Sequence, residues 1–124
     1  MISTIHGFVW KRNKEFFNWV FNSKQYEKKF KIVPQSVIEL DDKSGFAVVG
    51  SYEEFGMSNA FIFNADGSER YLLDMPPEIK SPICFHEIYY IEKELTAIIV
   101  TRNVDFACVI DVNTGLYTRT YETR

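Results

Sequence analysis

His6 and His86 are the only histidines, so any mechanism that moves a proton through an imidazole must use one of them. Cys84 and His86, two residues apart, would share one face of a strand. They could then offer two zinc ligands, with His6 or Cys108 as a third. Structural zinc sites take four ligands at tighter spacings, so a packed thiol and a hydrogen-bonded imidazole is the preferred reading. Cysteine catalysis meets a second obstacle. Cys108 lies inside the apolar run Phe106-Ala-Cys-Val-Ile110, where a thiolate is strongly disfavoured. No Gly-x-Ser-x-Gly elbow is present, and the six glycines, most of them in turns, leave no loop to cradle a phosphate. These absences argue against an enzyme, a cofactor or a bound metal.

The charged residues are more informative. Asp41-Asp42 and Glu53-Glu54 are adjacent acids on loops. A general acid and base would instead face each other across a cleft with separated pKa values. Lys24, Lys28, Lys29 and Lys31, interleaved with Tyr26 and Phe30, form the one basic run with aromatics that single-stranded nucleic acid would favour. The chain is acidic overall at −3, which disfavours polyanion binding. That charge is unevenly spread, with residues 1–35 carrying +5 and residues 36–124 carrying −8. Such asymmetry points to a basic partner for the acidic part. Tyr52, Phe55 and Met57, in the loop Tyr-Glu-Glu-Phe-Gly-Met, have the composition of an interface hot spot. The alternative is that Phe55 and Met57 fold back onto a sheet.

These residues must be positioned by the elements around them. Residues 5–10 read as a short strand. Asn13 then offers an N-cap, and Phe16, Trp19, Val20, Ser23, Glu27 and Phe30 partly follow helical spacing. Phe17 and Phe21 widen that stripe, and Pro34 ends it, which predicts a helix over 14–30. From residue 36 the period becomes that of strands, consistent with eleven Phe and seven Tyr. The sequence also repeats at about 50 residues. Ser36–Leu40 is answered by Glu87–Ile91, and Gly45–Ser51 by Leu95–Thr101. Asn59–Asn64 is answered by Phe106–Asp111, and Glu69–Leu73 by Leu116–Tyr121. The turns at 64–68 and 111–115 each place a glycine where a hairpin needs positive φ.

The predicted fold class is therefore α+β, an N-terminal helix packed on two four-stranded antiparallel meanders, in one domain over 1–124. Residues 1–35 would hold the strand and helix, 36–74 the first meander, 75–86 a connector and 87–121 the second meander. In an up-down meander the first and third turns share an end. Asp41, Asp42 and Asp66 would gather at one end of the first copy, with Glu92 and Glu94 at the corresponding end of the second. With Tyr52, Glu53, Glu54, Phe55 and Met57 they make up the expected partner-binding set.

A Gly-terminated four-stranded repeat of this period resembles a β-propeller blade, although two blades close no ring. Two such sheets with a helix are similar to the Whirly-type build of some nucleic-acid-binding proteins. The same two-sheet build resembles small bacterial toxin-immunity proteins of the contact-dependent growth inhibition type. That resemblance implies a stoichiometric inhibitor that occludes a basic toxin such as a nuclease. The alternatives are a single-strand nucleic-acid binder and a structural subunit completed by oligomerisation. No apolar run nears the ~18 residues of a membrane helix. Met1 to Lys14 does not have the pattern of a secretory leader, and two unpaired-looking cysteines suit a reducing compartment, so a cytoplasmic protein is expected.

Overall fold

The computed structural model describes residues 4–123. Among these residues, eleven strands form three antiparallel sheets, and the one helix is a single turn. Sheet A holds β1 (His6–Val9), β2 (Phe16–Phe21) and β3 (Lys24–Lys29). Sheet B holds β4 (Ser36–Glu39), β5 (Gly45–Val49), β6 (Ala60–Asn64) and β7 (Glu69–Leu72). Sheet C holds β8 (Pro82–Ile91), β9 (Glu94–Thr101), β10 (Asp105–Ile110) and β11 (Tyr117–Thr123). Strand order in both four-stranded sheets follows the chain, as a meander requires.

The predicted N-terminal helix is absent, and with it the α+β class. Residues 16–29 form a hairpin in unbroken register, with Phe17 opposite Lys28 and Trp19 opposite Tyr26. Its turn, Asn22-Ser23, has φ of 53° and 61°, the two positive values of a two-residue hairpin loop whose twist matches its strands. Once the chain reverses there, period two governs. Phe17 and Trp19 are buried, whereas Phe16, Asn18 and Val20 lie on the opposite face. Asn13, the expected N-cap, sits in the β1–β2 turn, which Trp10 braces by donating its indole N–H to Lys14 O at 3.0 Å. The expected connector 75–86 is also shorter than its span, because β8 begins at Pro82.

Sheet B is the middle layer. Its face toward sheet C contributes Ala47, Val49, Ala60 and Ile62 to a core shared with Phe85, Ile88, Ala97, Ile99 and Cys108. Its other face presents Phe46, Val48, Phe61 and Phe63 to Phe17, Trp19 and Phe30 of the N-terminal hairpin. That double cover explains why β5 is apolar and buried at every position. Trp19 is fixed within it, its indole N–H donating to Ala65 O at 2.7 Å.

Among the described residues no third layer covers sheet C, yet Ile98 and Val109 are only 8% and 3% exposed. They share the outward face with Arg119, directly opposite Val109, and with Tyr121, opposite Ala107. Arg119 is held there by a bidentate pair with Glu94 at 2.8 and 3.2 Å.

Candidate protein-docking site

The two copies are locked together by polar ties. Asn59, fully buried, donates its amide to Gly50 O and Phe85 O and accepts from Phe85 N–H, at 2.8–2.9 Å. One side chain thus mimics a strand neighbour for β8. The Ser36 hydroxyl donates to Ile88 O, Tyr71 to Val112 O and Tyr117 to Asp74 O. Gly115, at φ +77°, lets the Tyr71 ring lie against the β10–β11 turn, since a Cβ there would approach the ring to 3.0 Å.

These ties set the end of the molecule where the β4–β5, β6–β7, β8–β9 and β10–β11 turns meet. Asp41 N–H donates to the Tyr90 hydroxyl at 3.0 Å, joining a sheet B turn to sheet C. Between them lies an open cleft of about 430 Å³ whose lining includes Asp41, Asp42, Tyr90, Lys93, Glu94 and Asp111, together with the buried Leu95 and Val109. Asp42 and Asp66 have the same local design, each accepting from the backbone N–H and hydroxyl of the serine two residues on. Arg70 clamps the two turns, donating to Asn64 Oδ1 at 2.6 Å and to Ser44 O and Oγ at 3.0 Å. Partial burial raises the Asp42 pKa, but the Ser44 bonds and the nearby Arg70 charge outweigh it and hold the carboxyl below its ordinary value. The Ser68 bonds lower Asp66 in the same direction. Desolvation first, then the Asp41 and Asp42 charges, push the Tyr90 hydroxyl up.

Cations at this end are mostly occupied. Arg70 is the clamp, Arg119 is paired with Glu94, and Lys43 lies 3.5 Å from Glu39. Among the described residues, Asp41, Asp42, Asp66, Glu92 and Asp111 have no ion-pair partner within 4.0 Å.

The ten expected residues do not form one surface. Asp41, Asp42 and Glu94 line the cleft, and Glu92 stands on the β8–β9 turn beside it. Asp66 borders a separate hollow with Phe21 and Ser44. Tyr52, Glu53, Glu54, Phe55 and Met57 belong to the β5–β6 connection, which an antiparallel meander places at the opposite end. Five residues of β5 separate the two ends by roughly 17 Å. Tyr52–Phe55 is the single-turn helix α1, capped by Ser51, whose hydroxyl accepts from Glu53 N–H. Phe55 folds back between Phe30 and Phe61, in space that Gly50 leaves free. Glu54 accepts from Lys31 N–H and Ile32 N–H at 3.1 and 3.0 Å, a structural tie. Tyr52, Glu53 and Met57 remain open, Tyr52 and Met57 at 52% and 44% exposure.

Two residues at the acidic end escaped the sequence reading. Asp111 sits on the third turn of the second copy, and the rule that grouped Asp66 with Asp41 applies to it equally. Leu116, at 68%, is the most exposed large apolar side chain among the described residues, and it sits on the same turn.

The thiols do not form a reactive pair. Both are free, and burial pushes Cys108 up to about 11 and raises Cys84. Among the described residues, no three His, Cys, Asp or Glu side chains converge as metal ligands. No helix among them is long and apolar enough to cross a membrane. No protein-family model matches the chain, and no curated protein is similar to it.

Proposed function

We propose that the protein is a stoichiometric protein-binding module of the cytoplasm, an immunity-type inhibitor that occludes a basic toxin domain such as a nuclease. The observation that carries this reading is the acidic end itself. Among the described residues, four carboxylates without ion-pair partners, Asp41, Asp42, Glu92 and Asp111, stand on three turns at or beside one cleft, with Asp66 on a fourth turn next to a neighbouring hollow. Carboxylates arranged in this way steer a basic partner and fix its register. Tyr90 and the exposed Leu116 supply the apolar component at that end, in place of Tyr52, Phe55 and Met57 at the other pole. The turns are short and cross-tied, so little ordering cost falls due on association.

Affinity capture from native lysate tests this reading, using wild-type protein, Asp41→Lys/Asp42→Lys and Tyr52→Ala/Met57→Ala as baits. A basic protein retained by wild type and by the Tyr52/Met57 variant, and lost from the Asp41/Asp42 variant, is the expected result. Retention by both variants, or loss from the Tyr52/Met57 variant alone, overturns it. The nucleic-acid alternative gains no support from the aromatics of the basic hairpin. Tyr26 is stacked on the buried Trp19 at 5.5 Å, so it presents no free platform.

A further inference from the structure

Sheet A and its loops carry a net charge opposite in sign to that of the acidic end. By register Lys24 and Lys28 fall on its inner face, and Glu27 lies opposite Asn18 on its outer one. The cations of residues 1–35 all lie on this sheet or its loops, and none forms an ion pair among the described residues. Lys28 is turned inward, over the Phe63 ring and against Gly67 O. Lys11 and Lys14, both exposed, instead rim a hollow of about 250 Å³. Val9, Phe16 and Asn18 line the rest of it, and Val9 is half exposed. This is an apolar socket with a cationic rim. The β10–β11 turn carries the complement, the projecting Leu116 with Asp111 beside it.

The geometry points to head-to-tail self-association, in which Leu116 of one copy enters the Val9–Phe16 socket of a second copy while Asp111 faces Lys11 and Lys14. Plug and socket are different patches of one chain, so the contact is heterologous. Its two-copy form leaves one plug and one socket unused, and assembly continues into chains or rings. One side chain in such a hollow buries far less than the roughly 1,000 Å² of a stable interface, so the association is of the weak, concentration-dependent class. Charge complementarity makes it weaken as salt is added. The plug stands at the acidic end, so a basic partner and a second copy compete for the same pole. The contact itself requires no such partner, and its failure leaves the proposed function untouched.

Sedimentation velocity on the purified full chain, over a concentration series at low and high salt, is the test. Three proteins are compared: wild type, a plug variant (Leu116→Lys) and a socket variant (Val9→Trp). Both substituted positions are open to solvent, and circular dichroism with thermal melting confirms that each variant is folded. Wild type is expected to rise in mean mass with concentration at low salt, and each variant alone to stay monomeric. An equimolar mixture of the variants restores one working plug and one working socket, and should give a 1:1 dimer and nothing larger. Lys11→Glu/Lys14→Glu, which alters the rim alone, should also stay monomeric. A monomeric wild type overturns the inference, as does association that persists in either single variant. A mixture that yields no dimer, or that grows beyond one, overturns it as well.

Discussion

Asn59→Ala tests how the two meanders are held in place. The amide makes three bonds to Gly50 O and to both backbone groups of Phe85, and the site is fully buried. Truncation leaves three buried polar groups without those partners, and each such group costs about 1–3 kcal/mol. Some of that cost is recovered if water enters the space, so the expected loss is about 3–5 kcal/mol. That is a large share of the ~5–15 kcal/mol stability of an ordinary domain. For a chain of this length it lowers Tm by roughly 10–20 °C. Urea unfolding followed by tryptophan fluorescence reads it directly, with an unchanged m-value showing that stability alone has moved. Asn59→Asp adds a sign test. Its carboxylate would face Gly50 O and Phe85 O where the amide donated, and burial would raise its pKa. The uncharged acid is the tolerated form, so that variant should be most stable at low pH and lose stability as pH rises. A loss below about 1 kcal/mol in Asn59→Ala would refute the idea that this amide ties sheet C to sheet B.

Other outcomes follow from the same geometry. Arg70→Ala removes the clamp between the Asp42 and Asp66 turns and one cause of the depressed Asp42 pKa, so that pKa should rise in carbon-detected NMR titration. Asp42 and Asp66 are held below 3.8, so they contribute stability that is present above that value. It disappears as pH falls through their folded pKa values, and Ser44→Ala/Ser68→Ala should flatten the decline in acid unfolding. Cys108 is raised from 9.0 to about 11, and its buried thiol contributes fully below pH 9. Stability should fall between pH 9 and 11, less steeply in Cys108→Val, and native-state alkylation at pH 8 should spare this residue. Gly50→Ala drives a Cβ to 2.5 Å from the Phe55 ring, and should release α1 and increase proteolysis at Tyr52.

The eight strands of the two meanders were legible because their turns are marked by glycine and acidic clusters. The N-terminal hairpin was not, since its Asn22-Ser23 turn adopts two positive φ values without a glycine. Glu92-Lys93 does the same at φ of 47° and 69°. An aromatic-rich stretch with no visible turn fits a helical stripe nearly as well as two strands. The repeat itself was read one residue out of register in two strands. Pairing equates Ile38 with Ile88, Ala47 with Ala97 and Ile62 with Cys108, because Ile38 faces Ala47, Ile88 faces Ala97, and Ala47 and Ala97 face Ile62 and Cys108. The near-continuous apolar runs of β6 and β10 carry no alternation, so their sequence leaves the register open. In addition, β8 is bulged between Phe85 and Glu87, which its alignment with the short β4 did not allow for. The acidic end followed from turn parity, and the same parity places the Tyr52–Met57 loop at the other pole. The Glu94–Arg119 pair was out of reach, since it joins strands two apart across β10 and depends on register.

The most direct check of the acidic end is the association rate of the captured basic protein with wild type and with Asp41→Lys/Asp42→Lys, measured by stopped flow at low and high salt. Steering by unpaired carboxylates predicts a rate about tenfold or more slower for the variant at low salt, a gap that narrows as salt rises, and a dissociation rate that changes less. Equal association rates at low salt would contradict the account.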